Sequence, residues 1–95
     1  MSSEEITMLE EIQRLAIAAH QQTGIATAFS SYTTELLDGT LNHHASVVIM
    51  PEGEKPWSMN GTSSRYPSER DTTLEGLRDQ LVEFIPKHRK EEAAA

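Results

Sequence analysis

Apolar residues recur at helical spacing near both ends of this chain and at strand spacing between them. Met8, Leu9, Ile12, Leu15, Ala16 and Ala19 form a one-sided stripe, the mark of an amphipathic helix. The stripe predicts a first helix over Ser3 to Gln22, stopped by Gly24. Ser2 and Ser3 are N-cap candidates, and Ser2 with Glu5 fits a capping box. Glu4, Glu5, Glu10 and Glu11 load the N-terminal half with the charge that the helix dipole favours there. Ile6 and Ile17 fall roughly opposite the stripe and are expected on the surface.

The middle of the chain changes period. Ala26 to Leu37 is rich in Thr, Phe and Tyr and free of Gly and Pro, so it reads as a first strand. Asp38-Gly39 follows as a type I′ hairpin signal. His43 to Met50, centred on Val47, Val48 and Ile49, is the clearest strand. The polar turn Pro51 to Pro56 closes it, and Trp57 to Ser64 makes a third strand, interrupted at Asn60-Gly61 by a bulge or a second turn. After a charged loop from Arg65 to Asp71, a second helix is expected near Thr72. Thr72 and Glu75 fit a capping box, with Asp71 as a rival cap. Leu74, Leu77, Leu81, Val82, Phe84 and Ile85 are its expected buried face. Gly76 costs helicity, which a close approach to the sheet explains, and Pro86 ends or kinks the helix.

The predicted fold class is therefore α+β. A small antiparallel three-stranded sheet is flanked by N- and C-terminal helices in the order α-β-β-β-α. Length fits one domain over residues 1–95, with 1–4 and 88–95 as frayed tails. One sheet face should carry both helices and the other should stay partly open. A core this small implies a stability of roughly 5–10 kcal/mol.

Charge then narrows the functional classes. The chain carries 15 acidic residues against 8 Lys plus Arg, a net charge of −7. Free nucleic acid and anionic membranes are repelled on average by such a surface. There is no cysteine, hence no disulfide framework and no thiolate metal site. No apolar run approaches the about 18 residues of a membrane span. The acidic N-terminus lacks the basic region of a secretory signal. A cytoplasmic location is the expectation, and Asn60-Gly61-Thr62 reads as turn chemistry rather than a glycosylation site.

Catalytic and metal chemistry find little support in the residues. His43 and His44 are adjacent in a strand, so their side chains point to opposite faces and one metal ion does not easily take both. No His-x-x-x-His or Glu-x-x-His spacing, no Gly-x-Ser-x-Gly elbow and no glycine-rich phosphate loop occurs. No cofactor, metal or catalytic residue is expected. The weak enzyme reading, a small hydrolase, would need His43 or His44 beside Glu35 or Asp38 in a pocket.

The α-β-β-β-α order is similar to that of the double-stranded RNA-binding domain. Asn42-His43 before the second strand and Gly61-Thr62-Ser63-Ser64-Arg65 before the last helix loosely resemble its loop and glycine-rich lead-in. The likeness covers about residues 5–85 and is one of topology. That family grips phosphates with lysines at the start of its last helix. Here the stretch is Glu69-Arg70-Asp71-Thr72-Thr73-Leu74-Glu75, and Arg65, Arg70 and Arg78 are too few to replace them. Lys87-His88-Arg89-Lys90 lie at the far end, where they suit the helix C-terminus.

The expected function is a non-enzymatic, protein-binding or regulatory module. It would be an inhibitor or adaptor of the accessory kind that bacteria and phages encode. A degenerate double-stranded-RNA-binding-like domain is the alternative. Candidate partner-binding residues are Glu4, Glu10 and Glu11, for a basic protein that otherwise meets nucleic acid, and Ile6, Ile17 and Trp57, for apolar contact or a homodimer. Trp57 with Met50 and Met59 would form an adaptable apolar patch if exposed.

Overall fold

A computed structural model describes residues 3–64 and 69–89. Helix α1 spans Ser3–Thr23, strands β1 to β4 span Ala26–Glu35, Leu41–Met50, Trp57–Thr62 and Thr72–Thr73, and helix α2 spans Leu74–His88. The α+β class is as expected, but the sheet has 4 strands in the order β1-β2-β3-β4. The first three pair antiparallel and β4 joins β3 in parallel, through Gly61 with Thr72 and Thr62 with Thr73. The sheet is therefore mixed rather than antiparallel and three-stranded. The two-residue β4 is too short to show a period of its own.

Alternation sorts the residues of β2 between two faces, which its contiguous apolar run Val47-Val48-Ile49 does not show in the sequence. His43, Ala45, Val47 and Ile49 of β2 are buried, while Asn42, His44, Ser46 and Val48 turn to the other face. The core joins that inner face to Ile12, Ala16 and Ala19 of α1 and to Leu74, Leu77, Leu81, Phe84 and Ile85 of α2. Val82 does not belong to it and is 51% exposed, because it sits about 100° round the helix from Leu81. The outer face stays open, and there Tyr32 and His44 stack with ring centroids 4.5 Å apart.

Turns and helix ends differ from expectation in detail. At the first hairpin Leu36 N–H donates to Thr40 O (2.8 Å) and Gly39 N–H to Leu36 O (2.9 Å). Gly39 has φ +86°, and no described non-glycine residue has positive φ. The connection is thus a three-residue loop ending in a left-handed glycine, not a type I′ turn, which needs positive φ at Asp38 as well. Asn60-Gly61 is neither bulge nor turn, since the β2–β3 register runs unbroken from His44–Thr62 to Ile49–Trp57. Gly61 is instead where α2 meets the sheet. A Cβ there would lie 2.9 Å from both Leu77 Cβ and Thr73 O.

The cap of α2 is Thr73 rather than Thr72 or Asp71, and its hydroxyl accepts from Gly76 N–H at 2.9 Å. The space around Gly76 is taken by Thr72 and Thr73, at the sheet's β4 margin. Pro86 lies inside the last turn of α2, which continues to His88. Ser3 and Glu4 are already within α1. The predicted contributions of Ser2, Arg65 and Lys90 lie outside the described residues.

Candidate functional site

A groove of about 320 Å³ runs between β3 and the C-terminal half of α2. Trp57, Ser58 and Met59 form one wall, and Gln80, Glu83, Phe84, Lys87 and His88 form the other. Trp57 opens β3 on its helix-facing side and meets Phe84 edge-on, with centroids 5.9 Å apart. Phe84 stacks on His88 at 4.3 Å, and the His88 ring nitrogen Nδ1 lies 3.1 Å from Phe84 O. The spacing of four residues brings Phe84 and His88 to one face of α2. Trp57 remains 44% exposed, so an aromatic surface is left open to solvent beside the cations Lys87 and, when protonated, His88.

The wall formed by β3 also has free main-chain groups. Ser63 N–H donates to His43 O at 2.9 Å. By the alternation of an antiparallel ladder, residues 57, 59 and 61 then bond to β2, and Ser58 and Asn60 turn their N–H and C=O outward. β4 pairs only with Gly61 and Thr62. The Gly61–Thr72 pairing takes Asn60 C=O, so among the described residues both main-chain groups of Ser58 and the N–H of Asn60 form an open strand edge along the groove.

The candidate residues of α1 do not join this site, nor do they form one patch. Glu4 and Glu11 share a cleft with Thr7, Met8 and Arg78 of α2. Glu5 turns towards His43, and Glu10 lies off both sides. Arg78 gathers Glu11 (3.8 Å), Glu75 (3.5 Å) and Asp79 (3.2 Å). Its hydrogen bond to Asp79, then the negative charges around it, hold the guanidinium above its ordinary pKa. Ile6 and Ile17 are 43% and 53% exposed on α1. The three-residue apolar patch does not form. Met59 is buried and Met50 points to the opposite sheet face, because strand neighbours across the ladder share a face only in register.

His43 is the one buried histidine among the described residues, at 1% exposure. Its Nδ1 lies 2.9 Å from Thr33 Oγ1, and its Nε2 lies 3.1 Å from Glu5 Oε2 without the alignment of a hydrogen bond. It thus ties the first turn of α1 to the β1–β2 hairpin, with neither Glu35 nor Asp38 as its partner. No group of three or more potential metal ligands occurs among the described residues, and no described helix is long and apolar enough to cross a membrane.

Two features escaped sequence reasoning. The sequence assigns Phe84 to the core and His88 to the helix C-terminus, although Phe84 and His88 at a spacing of four beside a strand-opening Trp57 are the available signal. The hairpin tip exposes Leu36 (48%), Leu37 (fully) and Leu41 (38%), which the Leu-Leu pair before Asp38-Gly39 could have indicated. Comparison with known proteins found no matching family model, no similar curated protein and no similar solved structure.

Proposed function

We propose that this protein is a non-enzymatic protein-binding module that takes an extended segment of a partner along the open edge of β3. The observation that carries this reading is the coincidence of that edge with the Trp57–Phe84 groove. A segment laid there gains main-chain hydrogen bonds from the N–H and C=O of Ser58 and the N–H of Asn60, and alternate side chains drop towards Trp57 and Phe84. Lys87 and His88 at the end of the groove favour an acidic residue in the segment. The rest of the partner is best neutral or basic, given the net charge of −7. An inhibitor or adaptor role fits a domain that binds and performs no chemistry.

The test is to pan a random-peptide library against the whole chain and titrate the recovered peptides by isothermal titration calorimetry, which reads the wild type and a variant lacking Trp57, the single tryptophan, alike. Recovered peptides should alternate apolar residues, and Trp57→Ala should weaken them by about tenfold or more, as hot-spot aromatics do. Asn60→Pro should weaken them too, because it removes an outward N–H and no bond to β2. Peptides indifferent to both substitutions would refute the reading.

A further inference from the structure

β1 is the outermost strand of the sheet, and among the described residues no strand pairs with its outer edge. The bond from Leu36 N–H to Thr40 O sets the parity of the β1–β2 ladder. Thr27, Phe29, Ser31, Thr33 and Glu35 therefore point their N–H and C=O groups away from β2. Sheet edges of this kind are usually blunted by Pro, Lys, a bulge or a covering element. β1 contains no Pro, Gly, Lys or Arg, and its ten residues pair with β2 without a bulge.

A second observation concerns the helix above that edge. α1 lies on β1, where Thr27 Oγ1 donates to Ala16 O at 2.9 Å. Its α2-facing side is marked by Met8 and Glu11 against Arg78 and by Gln22 against Arg89. Ile6, Gln13 and Ile17 follow one another at helical spacing on the other flank. Both isoleucines are exposed there, on the side of α1 turned away from α2.

We infer that the chain forms a two-fold homodimer by antiparallel pairing of two β1 edges, with the α1 flanks bearing Ile6 and Ile17 closing over the junction. A register centred on Ser31 uses every outward group, opposing Thr27 to Glu35 and Phe29 to Thr33. Glu35, the single charged residue of β1, then faces a threonine instead of its own copy. The same patch serves both partners, as a two-fold interface demands. Ten residues span about 34 Å at about 3.4 Å each. With a helix layer on the sheet, about 20 Å thick in all, the flank is about 700 Å² per copy. The total of about 1,400 Å² falls within the range of stable specific interfaces. The dimer leaves the β3 groove free, so it stands independently of the binding reading above.

Sedimentation equilibrium of the whole chain over a wide concentration range tests it. The wild type should show twice the chain mass. Ser31→Pro should show a single mass with an unchanged circular dichroism spectrum, since the lost N–H points outward. Ser31→Lys, which leaves the main chain intact and opposes two like charges at the axis, should weaken association by about tenfold or more. Ser31→Cys should form an interchain disulfide on mild oxidation, because opposed residues of a hydrogen-bonded pair stand about 5.5 Å apart. A wild-type monomer at every concentration overturns the inference. So does a dimer unaffected by Ser31→Lys, or one in which Ser31→Cys does not cross-link.

Discussion

Substituting Gly61 by alanine probes the point where α2 meets the sheet. The added Cβ would stand 2.9 Å from Leu77 Cβ, 2.9 Å from Thr73 O and 3.2 Å from Leu74 Cα. Carbon contacts relax at about 3.5–4.0 Å, so the start of α2 must lift by roughly 0.5–1 Å. None of the three atoms is the free end of a flexible side chain, and no rotamer change relieves the contact. Overpacking of this kind costs about 1–3 kcal/mol. The reduced freedom of the unfolded chain offsets about 0.4–1 kcal/mol of that. At the midpoints of those ranges a net loss of about 1.3 kcal/mol remains, which for a chain of this size lowers Tm by about 5–10 °C. The short parallel pairing of Gly61 and Thr62 with Thr72 and Thr73 should loosen in the same variant, and the groove beside it should widen. Urea and thermal unfolding followed by circular dichroism and Trp57 fluorescence measure the loss. Gly53→Ala is the comparison, because its strain comes from φ +79° and it meets nothing within 4 Å. A Gly61→Ala protein as stable as the wild type would refute the close-approach argument.

Three further outcomes are expected. His43→Ala removes a buried ring that touches Thr33 and Glu5 and should cost about 1–3 kcal/mol by urea unfolding; amide exchange should speed up first at the start of α1, and a uniform change along the chain would count against the tie. The Arg78 pKa is raised in the folded state, so its contribution is present below the ordinary guanidinium value and lost only as pH rises through the folded one. The stability difference between wild type and Arg78→Gln should accordingly stay flat over roughly pH 6 to 10, and a difference that fades towards the alkaline end contradicts this. Duplex RNA at low salt should give no gel shift, because Arg78 is held among Glu11, Glu75 and Asp79; a salt-sensitive shift would favour the RNA-binding-like alternative.

The sequence by itself determined the helices, the three long strands and most of the face that each helix buries. The stripe from Met8 to Ala19 and the apolar run from Val47 to Ile49 are local properties, because backbone geometry repeats every 3.6 or 2 residues wherever the chain is helical or extended. Acidity and the absence of cysteine were equally plain, being sums over residues. Only the tertiary structure decided what meets what. Thr72-Thr73 became a strand because Gly61 leaves room beside β3, and Thr73 became the cap for the same reason. His43 found Glu5, and Trp57 found Phe84, across layers of the fold. The four glutamates that look like one patch in sequence were dispersed by the turn of the helix and by their different neighbours. Such pairings depend on register and on the spacing of packed layers, which many distant residues set together and no short window of the chain contains.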